Sequence, residues 1–168
     1  MDEVPAVETA GLEIFSSRLD TVFTVFFSVL VLVCLFIYFL LPQLTYFIAP
    51  GFPAAAQAKV VEVSRIMLLS PILIGLSNLF STVTQIFRKF IIYALSPIFY
   101  NLGIIAGILF FYPIAGVHGL ALGVTLGALL HFLIQTLSSI QSGFYPKFSV
   151  SINFSDIKRA VLTSMPRT

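Results

Sequence analysis

Residues 64–111 read SRIMLLSPILIGLSNLFSTVTQIFRKFIIYALSPIFYNLGIIAGILFF and contain two long apolar runs joined by the basic pair Arg88-Lys89. The first run, from Ile66 to Phe87, has 22 residues without a charged side chain, and no Lys, Arg, Asp or Glu occurs from Phe90 to Pro146. A helix needs about 20 apolar residues to cross the hydrocarbon core of a bilayer. Both runs therefore predict membrane-spanning helices.

The first run also carries a polar stripe. Apolar residues recur along it at helical spacing, and a neighbouring face of the helix holds polar residues: Ser77, Asn78, Ser81, Gln85 and Arg88. Hydrocarbon cannot satisfy the amides of Asn78 and Gln85, so we expect them to face other helices or water. Two interpretations stay open, namely polar packing between helices and a face that lines a transport cavity.

Composition indicates an integral membrane protein. The chain is 58% hydrophobic and 10% charged, and its mean hydropathy is +1.04, whereas ordinary soluble domains are about 45–50% apolar. Its charges cluster at the ends of the apolar runs, so the net charge of +2 reflects membrane topology and does not indicate a nucleic-acid partner. Cys34 is the sole cysteine. The sequence shows no nucleotide-binding or zinc motif, and we predict neither a cofactor nor a metal.

Four spans are predicted, at about residues 21–41, 60–87, 96–112 and 118–140, which together form a transmembrane region over residues 21–141. Pro42 should close the first span, and the second should bend near Ser70-Pro71 because proline removes one backbone hydrogen bond. Ser96-Pro97 resembles an N-cap followed by proline at the first position of the third span, and residues 90–95 are either a connection or the start of that helix. Residues 1–20 form a charged segment before the spans, and residues 142–168 form a loop and the start of a further helix.

Small residues predict which spans pack closely. Gly119, Gly123 and Gly127 are four residues apart on the fourth span, and Gly103 and Gly107 repeat this spacing on the third. Glycines at such spacing let helix backbones approach each other. We therefore expect the third and fourth spans to form a tight antiparallel pair.

Lysine and arginine residues indicate the orientation. Six of them (Arg18, Arg88, Lys89, Lys147, Lys158 and Arg159) lie on one side of the predicted spans, and two (Lys59 and Arg65) lie on the other. The side rich in Lys and Arg is normally cytoplasmic, so both termini are predicted to be cytoplasmic. Lys59, Glu62 and Arg65 are spaced three apart, which allows ion pairs along one helix face.

His131 lies in the fourth span, four residues before Gln135 on the same helix face. A hydrogen-bonded packing histidine and a histidine that relays protons or meets a substrate both remain open. Between Thr21 and Ile140 the only carboxylate is Glu62. A membrane-embedded enzyme would need a convergent acid, base or metal cluster, so we do not predict an enzyme.

Several strings together carry a resemblance to a known family. They are FIAPGF at 47–52, LLSPILIGLSNLFSTVTQIFRKFIIYALSPIFYNLGIIAGILF at 68–110, GVHGLALGVTLGALLHFLIQ at 116–135 and the closing MPRT. The chain resembles the MurJ/MviN lipid II flippase family, from its third transmembrane helix to the start of its seventh. The resemblance implies an all-α, polytopic membrane protein whose four transmembrane helices form part of the N-terminal six-helix lobe of a flippase.

The same resemblance implies a function. Full-length relatives move the undecaprenyl-linked peptidoglycan precursor across the bacterial inner membrane by alternating access. The implied partners are membrane lipids, that precursor and the remaining helices of the same flippase. The alternatives are another lipid-linked oligosaccharide exporter of the same superfamily and a small membrane subunit or assembly protein.

The resemblance extends to few individual residues. Arg88 and Lys89 match the family's basic turn after its fourth helix, and two interpretations of them stay open, namely topology anchors and contacts with lipid headgroups. The basic cavity residues of the family lie on its first, second and eighth helices, which have no counterpart in this chain. The candidates for contacting substrate or lining a cavity are therefore Ser77, Asn78, Ser81, Gln85, Arg88, Lys89, His131 and Gln135.

Overall fold

In the computed structural model of the protein, the backbone is described from Glu3 to Tyr145 and the side chains from Asp20 to Tyr145. All regular elements in this part of the chain are helical. They are α1 (Glu3–Ile48), α2 (Ala54–Met67), α3 (Leu69–Ile86), α4 (Phe90–Ala106), a π-helical segment (Gly107–Phe111), α5 (Tyr112–Ala115) and α6 (Val117–Gln141).

Four helical stretches among these residues are long and apolar enough to cross a membrane: Asp20–Ile48, Ala54–Ile86, Phe90–Ala115 and Val117–Gln141. The prediction of an all-α membrane protein with four spans is therefore confirmed. A loop and the start of a further helix are predicted for residues 142–168, and all of this segment after Tyr145 lies outside the described residues.

The prediction that Pro42 closes the first span is wrong, because α1 continues through it to Ile48. A proline inside a helix removes the hydrogen bond to the carbonyl four residues earlier, here that of Tyr38. Membrane helices tolerate this loss where neighbouring groups satisfy the freed carbonyl. The chain instead turns at Pro50-Gly51, where α1 has ended and Phe52 N donates to the carbonyl of Ala49 at 3.2 Å.

The second span begins at Ala54, six residues before the predicted start, and divides into α2 and α3 at Leu68. Pro71 explains the division, because its ring lacks an N–H for the carbonyl of Met67 and clashes with it. The break is within one helical turn of the predicted bend at Ser70-Pro71.

For the third span, the structure agrees with the alternative in which residues 90–95 are the start of the helix. Helix α4 starts at Phe90, and Pro97 lies inside it, so the interpretation of Ser96 as an N-cap is wrong. The Ser96 hydroxyl instead donates to the carbonyl of Ile92 at 2.9 Å, one turn earlier in the same helix. A hydroxyl that bonds backwards in this way is common for serine inside a helix and does not end it.

Residues Val29–Tyr145 form one compact unit in which α6 has the most neighbours. Residue numbers increase together along α2–α3 and α6 at their contacts. Glu62 contacts His118, Ser70 contacts Thr125 and Ser77 contacts His131. Helices α2–α3 and α6 are therefore parallel. Helix α4 packs against the other flank of α6 and runs antiparallel to it.

The seam between α4 and α6 is built on glycine. A Cβ atom placed on Gly107 would lie 2.5 Å from the Cα of Gly123, and one on Gly103 would collide with the backbone of Gly127. A Cβ on Gly119 would collide with the carbonyl of Phe111, at the end of the π-helical segment. The segment precedes Pro113, whose missing N–H leaves the carbonyl of Leu109 without its α-helical donor.

Candidate functional site

The polar stripe of α3 divides into two faces. Ser77, Ser81 and Thr84 are at most 4% exposed and lie on the face that contacts α6. Asn78, Thr82 and Gln85 recur at spacings of four and three residues and are exposed. The structure therefore separates the polar residues of α3 into a buried hydroxyl row (Ser77, Ser81 and Thr84) and an exposed row (Asn78, Thr82 and Gln85).

The buried row holds α3 to α6 through Ser77 and His131. Ser77 Oγ lies 2.6 Å from Nδ1 of His131 and 3.1 Å from the carbonyl oxygen of the same residue. A serine hydroxyl has one proton, so when it donates to the carbonyl, Nδ1 must donate to Oγ. In that arrangement Nε2 is the ring nitrogen left for another group.

Gln135 contacts α4 rather than α3. Its side chain is fully buried, and Nε2 donates to Ser96 Oγ at 2.7 Å. The two residues of α6 that the sequence places on one face therefore bond to different neighbours, because His131 reaches Ser77 and Gln135 reaches Ser96. The sequence pattern around Ser96 is equally consistent with a helix N-cap, so the sequence did not reveal the pairing of Gln135 with Ser96.

The C-terminal end of α6, from Gln135 onward, buries further polar atoms. Gln135 Oε1, Thr136 Oγ1, Ser138 Oγ and Ser139 Oγ are buried and have no hydrogen-bond partner among the described protein atoms. Buried polar groups of this kind are normally satisfied by ordered water. The C-terminal end of α6 therefore buries polar side chains, in contrast to the glycine seam between α4 and α6.

The turn after α3 places Arg88 and Lys89 in different roles. Arg88 has φ +56°. Its N–H donates to the carbonyl of Gln85 at 2.9 Å, and Lys89 N–H donates to that of Thr84 at 3.0 Å, which is the Schellman pattern of helix ends. Lys89 Nζ lies 3.4 Å from the carbonyl of Ser138, where a cation is favoured by the dipole of α6. The Arg88 side chain is exposed.

No group of three or more His, Cys, Asp or Glu side chains that could hold a metal ion occurs within the described range. Apart from Asp20, which precedes the first apolar span, the charged residues of that range stand at the two ends of the helices, with Lys59, Glu62 and Arg65 at one end and Arg88 and Lys89 at the other. The exposed row of Asn78, Thr82 and Gln85 is therefore polar but uncharged.

Four apolar spans among the described residues, one of them with a polar row, define a polytopic membrane protein. The family model for the lipid II flippase MurJ matches residues 15–168. The chain therefore belongs to the MurJ lipid II flippase family.

A curated relative supports this assignment. The chain is 34% identical over 94 residues to a probable lipid II flippase MurJ from Borreliella burgdorferi. The match covers 52% of this chain and 19% of that relative, so the chain spans only a small part of its length. No solved structure gives a significant match.

Proposed function

We propose that this chain forms part of a flippase that moves lipid-linked peptidoglycan precursor across the bacterial inner membrane. The family match supports this proposal, and so does the name of the relative from Borreliella burgdorferi. The observation that carries it is the exposed row of Asn78, Thr82 and Gln85, which lies in the C-terminal part of the membrane-length helical stretch Ala54–Ile86. Amide groups facing hydrocarbon are unfavourable, so this row faces a wet cavity in the working protein.

The proposed mechanism is alternating access, with this chain as part of one moving lobe. The glycine seam supports rigid movement of α4 with α6, because their backbones are in direct contact at Gly107 and Gly123. The hydroxyl row holds α3 to the same body through Ser77 and His131. When the lobe tilts, the exposed row of Asn78, Thr82 and Gln85 becomes accessible first from one side of the membrane and then from the other.

The test uses the complete polypeptide that carries this sequence, reconstituted in vesicles with labelled lipid II. Replacing the amides in Asn78→Leu with Gln85→Leu should slow flipping about tenfold, the effect of losing about 1.4 kcal/mol of polar contact. The matched control is Ser81→Ala with Thr84→Val, which alters the buried row of the same helix. It should lower stability and leave flipping per folded molecule unchanged.

Unchanged flipping in the amide variant would show that the exposed row does not line the pathway. Loss of stability with unchanged flipping would instead identify the row as a contact with other helices of the polypeptide. Faster flipping of a different lipid-linked oligosaccharide than of lipid II by the unaltered protein would favour another exporter function.

A further inference from the structure

Arg65 lacks the acidic partner that its sequence spacing suggests. The ion pairs that the spacing of Lys59, Glu62 and Arg65 allows do not form, and Glu62 Oε2 instead lies 3.2 Å from Nε2 of His118 on α6. Over the described residues no carboxylate lies within ion-pair distance of Arg65, and its buried Nε has no hydrogen-bond partner. The guanidinium carbon lies 4.5 Å from the ring centre of Tyr38 on α1. This cation is held in place but is not neutralised.

Arg65 lines a groove of about 250 Å³ between α1 and the junction of α2 with α3. Its other walls include Cys34, Leu35, Tyr38, Leu68 and Leu69, so the groove is apolar except for the guanidinium. Pockets that enclose a drug-sized ligand are larger, at about 300–1,000 Å³. The groove therefore suits a stretch of one hydrocarbon chain rather than a whole enclosed molecule.

The position of Arg65 along the helix fixes its depth in the membrane. The charge-free run begins at the next residue, Ile66, and its 22 residues through Phe87 span about 33 Å of helix. That length covers a hydrocarbon core of about 30 Å. Arg65 therefore stands at the edge of the core, at the level of lipid phosphates, while Leu69 and Ile72 lie deeper along the same groove.

We propose that this groove is a binding site for one anionic phospholipid. The phosphate pairs with the Arg65 guanidinium, which matches phosphate oxygens with two parallel N–H donors. One acyl chain lies against Leu35 and Leu69, below the phosphate. Charge complementarity favours this occupant, because an unpaired guanidinium at the edge of the bilayer attracts anions and phospholipid is the abundant source of them. The site does not depend on whether the protein moves lipid II.

The absence of tryptophan from the chain makes a direct test possible. A single tryptophan at Leu69→Trp reports from the groove, and one at Leu102→Trp on α4 is the matched control, because both leucines are 49% exposed. Each variant is placed in phosphatidylcholine vesicles, and its fluorescence is quenched with brominated phosphatidylglycerol or brominated phosphatidylcholine. The ratio of the two quenching curves gives the lipid preference at each position.

At Leu69→Trp we expect phosphatidylglycerol to be preferred about tenfold, the effect of one charge-assisted contact. Arg65→Gln should abolish that preference, whereas Lys59→Gln, which removes a cation from the same helix outside this groove, should preserve it. Leu102→Trp should show no preference, and excess inorganic phosphate should not displace the lipid.

Three outcomes would overturn the site. Equal quenching by both lipids at Leu69→Trp would mean that the groove does not select an anion. If the preference for phosphatidylglycerol remained in Arg65→Gln, it would come from the general surface charge of the protein and not from Arg65. Protection of Leu69→Trp from both lipids would mean that a protein segment, and not a phospholipid, fills the groove.

Discussion

Arg88 adopts a backbone conformation that normally favours glycine. Arg88, with φ +56°, lies two residues after Ile86, the last residue of α3, and Gly143, with φ +82°, holds the equivalent position after α6. The left-handed conformation costs a residue with a side chain about 1–2 kcal/mol. Because α3 and α6 are parallel, both turns lie at the same end of the protein. The turn after α3 has a cationic residue, Arg88, in the left-handed conformation, and the turn after α6 has a glycine.

The two turns allow a paired measurement of stability. Arg88→Gly should raise the free energy of unfolding by about 1 kcal/mol, and Gly143→Ala should lower it by about the same amount. Reversible unfolding in mixed micelles, followed by circular dichroism, measures both changes. Arg88→Asn separates charge from backbone, since asparagine tolerates this conformation without a charge. A loss of stability in Arg88→Gly would show that the guanidinium itself stabilises the fold.

The buried pair of Gln135 and Ser96 predicts coupled effects of mutation. Ser96→Ala should destabilise the protein by about 1–2 kcal/mol, because the buried Nε2 of Gln135 loses its acceptor. Gln135→Leu on that background should restore part of the loss, since the orphaned amide is then gone. A double-mutant cycle from the same unfolding assay should give a coupling energy of about 0.6 kcal/mol or more. Additive effects of the two substitutions would contradict the pairing.

At the scale of the helices, the close contact between α4 and α6 predicts that adding one methyl group to a glycine of the seam destabilises the protein. Gly123→Ala would press a Cβ into the backbone of Gly107, and such overpacking costs about 1–3 kcal/mol or more. Gly51→Ala is the matched control, because a Cβ there meets nothing within 4 Å. We expect the thermal midpoint in detergent to fall for Gly123→Ala and to stay the same for Gly51→Ala. Equal midpoints would mean that the helices separate without cost.

Length and hydropathy were enough to predict four helical spans, because a helix must satisfy its own backbone in lipid. Helix ends at proline were less predictable. Pro42 and Pro97 lie inside helices, whereas Pro71 accompanies a break, and each outcome depends on whether nearby groups satisfy one freed carbonyl. The division of the polar stripe was also hidden, since Ser77 and Asn78 are adjacent in sequence and only the position of α6 decides which is buried.

At the scale of the whole molecule, the orientation in the membrane is a prediction that labelling tests. Six of the basic residues counted above lie on the side of Arg88, so that side should be cytoplasmic. In a Cys34→Ser background, Ala55→Cys should react with a membrane-impermeant maleimide in intact cells. Tyr145→Cys should react only after permeabilisation; both positions are exposed. The reverse pattern would invert the proposed orientation and place both termini outside.

The last prediction is that residues 1–168 alone do not translocate lipid II. Arg65, Arg88 and Lys89 stand at the edges of the charge-free run of α3, and the exposed row between them is uncharged. A diphosphate that crosses a medium of low dielectric needs compensating charge, because each unpaired ion costs several kcal/mol. The matched part of the relative from Borreliella burgdorferi is 19% of its length, so most of that relative lies outside the compared region and can hold such charges.

Complementation of a flippase-depleted bacterium measures this directly, with the complete relative as the positive control and membrane insertion of the short chain checked by the maleimide labelling. We expect the short chain to insert and the cells still to lyse, because its polar row can hydrate a headgroup but cannot neutralise it. Growth on the short chain would refute this, and it would require that the uncharged row of Asn78, Thr82 and Gln85 carries a diphosphate through the bilayer.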